Sequence, residues 1–291
     1  TLNAKDMVLD ATADTKVIGV NFNATVAGGT NGFGLSVAIA VFKHYVQAGI
    51  GQGSVVNASG NVAVRANAEE LTVIVLGSAG YAKEAGVNGQ IAVVVSDNLS
   101  KAIIGMYAPK LISTDEEANA VQVTKVTAGG SVYVNADLTT KDYLIVGGFT
   151  VASQDFAAGC AIAALKESNA ADALINRLAK ITASVAANVD GWTDRKKKKH
   201  GKGLEINANH ESSSILIAIP VAVGQGTSVA FALPIKIQKN RITSKVRSGA
   251  EVTVKKSAGT RQAVLLNALK VDGSDDGKES DSEEGPAVTI T

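Results

Sequence analysis

A short strand template recurs along this chain, and it constrains the fold more than any single residue does. The clearest copies occupy residues 62–68, 132–138 and 204–210, a fourth begins at Met7, and a weaker fifth begins at Val252. These anchors lie 55, 70, 72 and 48 residues apart. An internal repeat of this kind predicts similar units stacked on one continuous core, rather than a compact domain around one pocket.

Each anchor is followed by further apolar segments. A second strand, such as residues 73–76, comes about ten residues after the anchor begins. A glycine-rich turn then leads to a third strand (93–95), a polar turn and a short strand (102–104). The length of this unit leaves open whether it forms two or three ordinary coils of roughly 20 residues or one wide coil with long strands.

Alternation predicts strands rather than helices. Odd positions from Leu71 to Val95 are nearly all apolar or glycine, with Lys83 the exception, whereas even positions include many polar side chains. A period of two is typical of strands with one buried face, and the apolar face is the one expected to be buried. Residues 169–187 are rich in Ala and Leu, which leaves a short helix around 172–178 as an alternative there.

The composition fits a narrow core of aliphatic side chains. Hydrophobic residues make up 46% of the chain but aromatic residues only 4%, whereas a globular enzyme normally fills its core with several aromatic rings. Val and Ile also favour strands. We therefore predict an all-β fold, a right-handed parallel β-helix (β-solenoid), with room for a short helix in an insertion.

The spacing of the anchors also predicts the organisation of the chain. The β-solenoid is expected over residues 1–269 in about five units, followed by an acidic loop (270–286) and a further strand (287–291). Insertions at 106–128 and 177–202 follow the last short strand of the second and third units. Repeat proteins place such insertions on loops of one face, often the binding face. Because residue 1 is Thr rather than Met, we expect the chain to be a piece of a longer protein.

Charge and cysteine usage exclude little by themselves. The net charge of +1 does not favour nucleic acid or a membrane surface as a partner. The single cysteine, Cys160, cannot form an internal disulfide and is expected to be a small core residue. No apolar run reaches the ~18 residues that a membrane-spanning helix needs, so no membrane span is expected in this segment.

Part of the repeat resembles a known family. Residues 89–98 (GQIAVVVSDN) and 102–105 (AIIG), with anchors introduced as in Ser59-Gly60-Asn61-Val62, resemble the leukotoxin-type filamentous adhesins, and the likeness extends over about residues 5–269. These are giant surface or secreted proteins of Gram-negative anaerobes, and filamentous haemagglutinins share their general character. The resemblance implies a secreted, outer-membrane-associated β-helical rod with a role in adhesion or host-cell damage. It implies no catalytic residue and no cofactor.

A basic cluster lies in the second insertion. Six like charges within eight residues favour an extended, solvated loop. Such a patch can also bind polyanions such as glycosaminoglycans or anionic lipid head groups. Specific nucleic-acid recognition is not expected, because only Trp192 is near to serve as an aromatic platform. The candidate ligand-binding residues are Arg195, Lys196, Lys197, Lys198, Lys199 and Lys202.

An acidic segment near the end of the chain formally resembles a calcium loop. Its candidate ligands are Asp272, Ser274, Asp276 and Glu283, with Gly277 at the position of the sharp turn. Against calcium stand the absence of predicted flanking helices and Glu279 at a position that is usually apolar. A solvated acidic loop is the alternative.

The remaining polar residues do not form a recognisable catalytic pattern. His44, His200 and His210 lack metal-ligand spacing and are expected at the surface. The outward candidates for acid–base chemistry are Asp97, Asp137, Asp142 and Glu205, which are scattered. The sequence therefore favours a non-enzymatic display segment of a filamentous adhesin that contacts ligands on host or neighbouring cells, such as anionic glycans. A polysaccharide-processing β-helix enzyme and a self-assembling extracellular fibre, joined through its basic and acidic segments, are the alternatives.

Overall fold

The protein is built entirely of parallel β-strands over the residues that the structure describes. The computed structural model describes residues 1–106, 123–185 and 203–256, together with the backbone of 263–272 and 288–290. The first seven strands are β1 (Leu2–Ala4), β2 (Met7–Val26), β3 (Asn31–Gly51), β4 (Val55–Ala58), β5 (Val62–Ala82), β6 (Ala85–Met106) and β7 (Thr124–Ala128). They are followed by β8 (Val132–Ala152), β9 (Phe156–Ile175), β10 (Ala179–Val185), β11 (Gly203–Gly224), β12 (Thr227–Val246), β13 (Glu251–Lys256), β14 (Ala263–Asp272) and β15 (Val288–Ile290).

These strands form three parallel sheets. Sheet A has the order β1-β4-β7-β10-β13-β15, sheet B the order β14-β11-β8-β5-β2, and sheet C the order β12-β9-β6-β3. Three consecutive strands, one from each sheet, make one coil, and the next coil pairs with it in register. The prediction of an all-β stack of parallel strands is confirmed, and the wide-coil alternative is the one observed, because sheets B and C are built from strands of about 20 residues.

The register identifies the repeat. Met7 pairs with Val62, Val62 with Val132, and Val132 with Leu204, all in sheet B. The fifth strand of this sheet is β14, in which Val264 pairs with Leu204. Val252, the weak fifth anchor of the sequence, lies instead in β13 of sheet A.

Two pairs of predicted strands are single strands in the structure. The anchor and the second apolar segment together form one strand, as in β5, and the third and short segments form another, as in β6. The polar turns predicted between the latter two, such as residues 97–98, are therefore inside strands. Strand β9 also runs to Ile175, so the alternative of a helix beginning near Asp172 is wrong.

The two insertions lie at different corners of the coil. Residues 124–128 and 179–185 of the predicted insertions are the sheet A strands β7 and β10. The first remaining segment, 107–122, connects β6 to β7, and the second, 186–202, connects β10 to β11. Both segments lie outside the described residues.

The interior contains two apolar clusters. The larger is enclosed by all three sheets and includes Val64 of β5, Ile104 of β6 and Val126 of β7. The smaller lies between sheets B and C alone, where Leu76, Leu144 and Leu165 are buried. We call this second, two-sheet part the arm; it comprises residues 16–42, 71–96, 141–167 and 213–238.

The arm buries the opposite face from the one that the apolar alternation predicts. In β5 and β6 the buried positions are even, and they include Thr72, Ser78, Asn88 and Gln90. The apolar odd positions from 73 to 95 face outward. Alternation thus predicted strands correctly, but the assignment of the apolar face to the core is wrong for the arm.

Small interior side chains let the two sheets of the arm approach closely. A Cβ atom on Gly148 of sheet B would lie 2.3 Å from Nε2 of Gln90 in sheet C. One on Gly34 would lie 2.6 Å from Oδ1 of Asn88, its partner in the next coil of sheet C. Glycine at these two positions leaves room for the amides of Gln90 and Asn88 inside the arm.

Candidate functional site

A buried polar layer separates the two apolar clusters. It lies where sheets B and C leave the three-sheet part and begin the arm. Sheet B contributes residues 70 and 72 of β5 with their neighbours in the adjacent coils, and sheet C contributes residues 96 and 98 of β6 with theirs. Its fully or nearly fully buried members are His44, Glu70, Thr72, Ser96, Asn98, Thr140, Asp142, Glu167, Asn169, His210 and Ser212.

Asparagines form a ladder along sheet C in this layer. Asn98, Asn169 and Asn240 occupy the same position in three successive coils. Nδ2 of Asn98 donates to Oδ1 of Asn169 at 2.9 Å, and Nδ2 of Asn169 donates to Oδ1 of Asn240 at 3.3 Å. Stacked amides of this kind satisfy buried polar groups and fix the register of the coils.

Polar contacts also cross the interior between the sheets. Oγ of Ser100 donates to the carbonyl of Ala66 at 3.0 Å, and Nε2 of Gln238 donates to Oγ of Ser212 at 2.8 Å. Sheets B and C are therefore in direct contact at the layer, which leaves no open channel between the two apolar clusters at these points.

Three carboxyl groups meet in the layer. Glu70, Asp142 and Glu167 are 2%, 0% and 1% exposed. The hydroxyl of Thr72 donates to Oε1 of Glu70 at 2.9 Å, whereas Oε2 of Glu70 and both oxygens of the other two carboxyl groups have no hydrogen-bond donor. Lys236 lies 3.9 Å from Oε2 of Glu167, too far for a hydrogen bond.

Burial shifts two of these carboxyl groups, Glu70 and Asp142, toward their neutral forms. Desolvation raises the pKa of Glu70 to about 7, although Thr72 and Asn98 favour its charged form and oppose the shift. Desolvation, with the nearby Glu167 and Glu70, raises the pKa of Asp142 to about 9. A protonated Asp142 can donate to Glu167, which removes the repulsion between two buried charges. The arrangement is sensitive to protons, but its burial keeps it away from a polymeric substrate.

The two described histidines are buried rather than exposed. His44 is 7% exposed and His210 is 2% exposed, so the surface placement predicted for both is wrong. Burial lowers the pKa of His44, and the charge of Asp14 opposes this shift. Nε2 of His210 lies 3.5 Å from Oγ1 of Thr140. His200 lies outside the described residues.

The predicted binding sites fall largely outside the described residues. All six candidates of the basic cluster, Arg195 to Lys202, are in the segment 186–202. Of the calcium candidates, Asp272 is the last residue of β14, and Ser274, Asp276 and Glu283 are not described. Both interpretations therefore stay predictions.

The four acids considered for catalysis do not converge. In the neighbouring coils Asp97 pairs with Lys43 and Ser168, Asp137 with Asn67 and Asn209, and Glu205 with Tyr133. Asp142 points into the interior. Glu205 is only 8% exposed, so its predicted access to solvent is wrong as well. None of Asp97, Asp137 and Glu205 has a carboxylate at the same position of the next described coil.

Cys160 is placed differently from its prediction. It lies on the outer face of sheet C in the arm, between Gly89 and Phe231 of the adjacent coils, and is partly exposed rather than a core residue. It is a free thiol.

Comparisons with known proteins give no relative. No family model matches the chain, and neither a curated protein nor a solved structure matches it. Among the described residues no helix has the length and apolar character to cross a membrane. The same residues contain no group of three or more His, Cys, Asp or Glu side chains arranged to hold a metal ion.

Proposed function

We propose that this chain is a structural and display segment of a large secreted or cell-surface filamentous adhesin, folded as a right-handed parallel β-helix of wide coils. The observation that supports the proposal is the in-register stacking of strands of similar length, with the variation in length concentrated at the connections between them. A regular scaffold with variable connections suits display of binding loops. The resemblance of residues 89–105 to leukotoxin-type adhesins supports the same function and a place at the surface of a Gram-negative bacterium.

The proposed ligands are anionic glycans on host or neighbouring cells, bound by the basic cluster of the second insertion. Among the described residues, the acids that come together are buried in the polar layer, which does not favour the catalytic alternative. The segment that would display the cluster begins directly after β10, which pairs with both β7 and β13. The loop thus starts from a strand held on both sides.

Heparin affinity tests the role of the basic cluster. We expect the chain to be retained on a heparin column and to bind cultured epithelial cells. A variant with Lys196, Lys197, Lys198 and Lys199 changed to Ala should elute at clearly lower salt and no longer bind cells. Each lysine that pairs with a sulfate group makes binding more dependent on salt, so the salt slope should fall in this variant as well.

A control variant removes the same charge elsewhere. Lys5, Lys16, Lys43 and Lys239 are exposed lysines of the strands or their ends, and their change to Ala should leave retention nearly unchanged. Equal loss in both variants would mean that only net charge matters. Failure of the chain to bind cells in any form would contradict an adhesive function for this segment.

A further inference from the structure

The outer faces of the arm are apolar almost without exception. In sheet B the outward positions 18–26, 73–81, 143–151 and 215–223, taken every second residue, carry only aliphatic, aromatic or glycine residues. In sheet C the corresponding positions 33–41, 87–95, 158–166 and 229–237 do the same, with Cys160 a further apolar member and Lys166 the exception.

Large side chains on these faces are strongly exposed. Val20 is 73% exposed, Ile39 68% and Ile219 58%. Members of the middle coils, which have neighbours on both sides, still show 40% for Ile145 and 48% for Phe149. Monomeric soluble proteins rarely expose contiguous apolar patches of more than a few hundred Å².

The same strands are polar on their outer face in the three-sheet part. There β2 presents Asp10, Thr12 and Asp14, and Arg65 of β5 forms an ion pair of 2.8 Å with Asp10. The change from polar to apolar takes place along single strands, at the level of the polar layer. Exposed large apolar side chains outside the arm, such as Val8 and Tyr45, are isolated. The continuous apolar outer surface is therefore on the arm.

We propose that copies of this chain associate side by side through the outer faces of the arm. Four strands about 4.8 Å apart, each with about ten residues of ~3.3 Å, give roughly 600 Å² of flat area for each face. The accessible surface of protruding side chains exceeds the flat area, so one face approaches the ~800 Å² that each partner contributes to a standard stable interface.

Flat sheets of aliphatic side chains pack face to face at about 10 Å. A second copy carries the same faces with the same spacing between strands, so it is a partner of matching shape and chemistry. Because both sheet B and sheet C present such a face, association through the two faces continues beyond a dimer.

A lipid surface fits these observations less well. The arm ends in polar turns, with Lys83 and Glu84 in one coil and Asp155 in the next. Among the described strands, the outermost two of sheet C, β3 and β12, each pair on one side only, so their free backbone groups would stay unsatisfied in hydrocarbon. Packing against another protein copy leaves these edges and turns in water.

Sedimentation velocity on matched variants tests the proposal. The sheet B variant carries Val20→Lys, Ile145→Lys and Ile219→Lys, and the sheet C variant carries Ile39→Lys, Ala164→Lys and Ile235→Lys. The control carries Thr12→Lys, Thr139→Lys and Ser213→Lys, which lie on the outer face of the same strands β2, β8 and β11 before the apolar positions begin, and which add the same charge. Circular dichroism verifies that each variant keeps its strand content.

We expect the unchanged chain to form dimers or larger species at micromolar concentration. Each arm variant should form smaller species, the two sets combined should give a monomer, and the control should match the unchanged chain. A monomeric unchanged chain, or a control that dissociates as readily as the arm variants, overturns the proposal. So does a monomer that floats with zwitterionic phosphatidylcholine vesicles, since the arm faces would then bind lipid instead. None of these results depends on binding to heparin or to cells.

Discussion

Glu70 and Asp142 bring ionisable groups into a place from which water is excluded. A carboxyl group in such surroundings is neutral at a pH where an exposed one is charged, because desolvation penalises the charged form. In the neutral form it is both a donor and an acceptor, which suits a layer that also contains amides and hydroxyls. The polar layer is therefore most stable when these acids are protonated.

The stability of the protein should consequently fall as the pH rises. The folded-state pKa of Glu70, about 7, exceeds the value of 4.5 for the free group, so the folded state holds its proton more tightly. The stabilisation is complete below pH 4.5 and is lost as the pH rises through 7, and for Asp142 through about 9. At 1.36 kcal/mol per unit of pKa, Glu70 alone accounts for a decrease on the order of 3 kcal/mol.

Denaturant unfolding at pH 5, 7 and 9 measures this effect. Glu70→Gln and Asp142→Asn replace each acid by a neutral amide of the same shape, and each should flatten the dependence of the unfolding free energy on pH. Glu69→Gln changes the exposed neighbour on β5 and serves as the control. Stability that rises from pH 5 to pH 9 would show that the acids are charged in the folded protein.

The buried polar layer was not predicted from the sequence, although the repeat contains part of the pattern that identifies it. Asn98, Asn169 and Asn240 recur at a constant spacing of 71 residues, which could have identified the ladder. The acids come from three different positions of the repeat, since Glu70 pairs with Thr140, Asp142 with Thr72, and Glu167 with Ser96. Aligning the copies cannot bring them together; only the packing of sheet B on sheet C does.

At the scale of elements, β5 shows why the strands were predicted but their faces were not. Apart from Ala63, its buried positions are even, from Val62 and Val64 to Ile74 and Leu76. The apolar residues follow the same even positions before Glu70 but occupy the odd positions as well after Leu71. If apolar residues are assumed to be buried, this change of pattern predicts two separate strands instead of one. The assumption fails here because the outer face of the arm is apolar too.

Turns of neighbouring coils stack as closely as the strands do. A Cβ atom on Gly129, between β7 and β8, would lie 2.1 Å from the carbonyl oxygen of Ser59 in the preceding coil. One on Gly226, between β11 and β12, would lie 2.4 Å from the carbonyl oxygen of Asp155. Glycine at these corners lets one turn rest directly on the backbone of another.

Gly129→Ala should therefore be strongly destabilising. The added methyl group meets backbone atoms rather than a flexible side chain, so the two coils must separate locally, at a cost of about 2–3 kcal/mol or more. The midpoint of urea unfolding measures the change.

Gly28→Ala is the matched control in another turn. A Cβ atom there has no heavy atom within 4 Å, and restriction of the unfolded chain makes the substitution neutral or slightly stabilising. Similar losses of stability in both variants would show that the turns do not rest on one another.

At the scale of the whole molecule, the width of the coil determines how much length and how much lateral surface the stack has. A coil spans 55 to 72 residues in the register of sheet B, yet neighbouring coils rise by only about 4.8 Å. A stack ~100 Å high would need about 20 such coils, several times the chain that narrow coils of ~20 residues require. The additional residues in each coil form the arm, so a wide coil increases the lateral surface of the stack more than its length. Lateral surface is what display of loops and association through the arm both use.

The free energy of local unfolding should also differ between coils along the stack. In a repeat protein each coil contacts only its neighbours, so a coil with two neighbours is held more firmly than one with a single neighbour. Within the part of the chain that the structure describes, β6 pairs with β3 and β9, whereas β3 pairs only with β6. The two strands occupy the same sheet and the same register, so they form a matched pair for comparison.

Amide hydrogen exchange followed by mass spectrometry should resolve this difference. We expect peptides from 37–46 of β3 to exchange at least tenfold faster than peptides from 91–100 of β6, which corresponds to about 1.4 kcal/mol in opening free energy. Protection should rise in β3 under conditions where copies associate, because the arm faces of this strand are then covered. Equal exchange in β3 and β6 at dilutions that give monomers would mean that the coils open together as one cooperative unit, which contradicts a stack held by nearest-neighbour contacts.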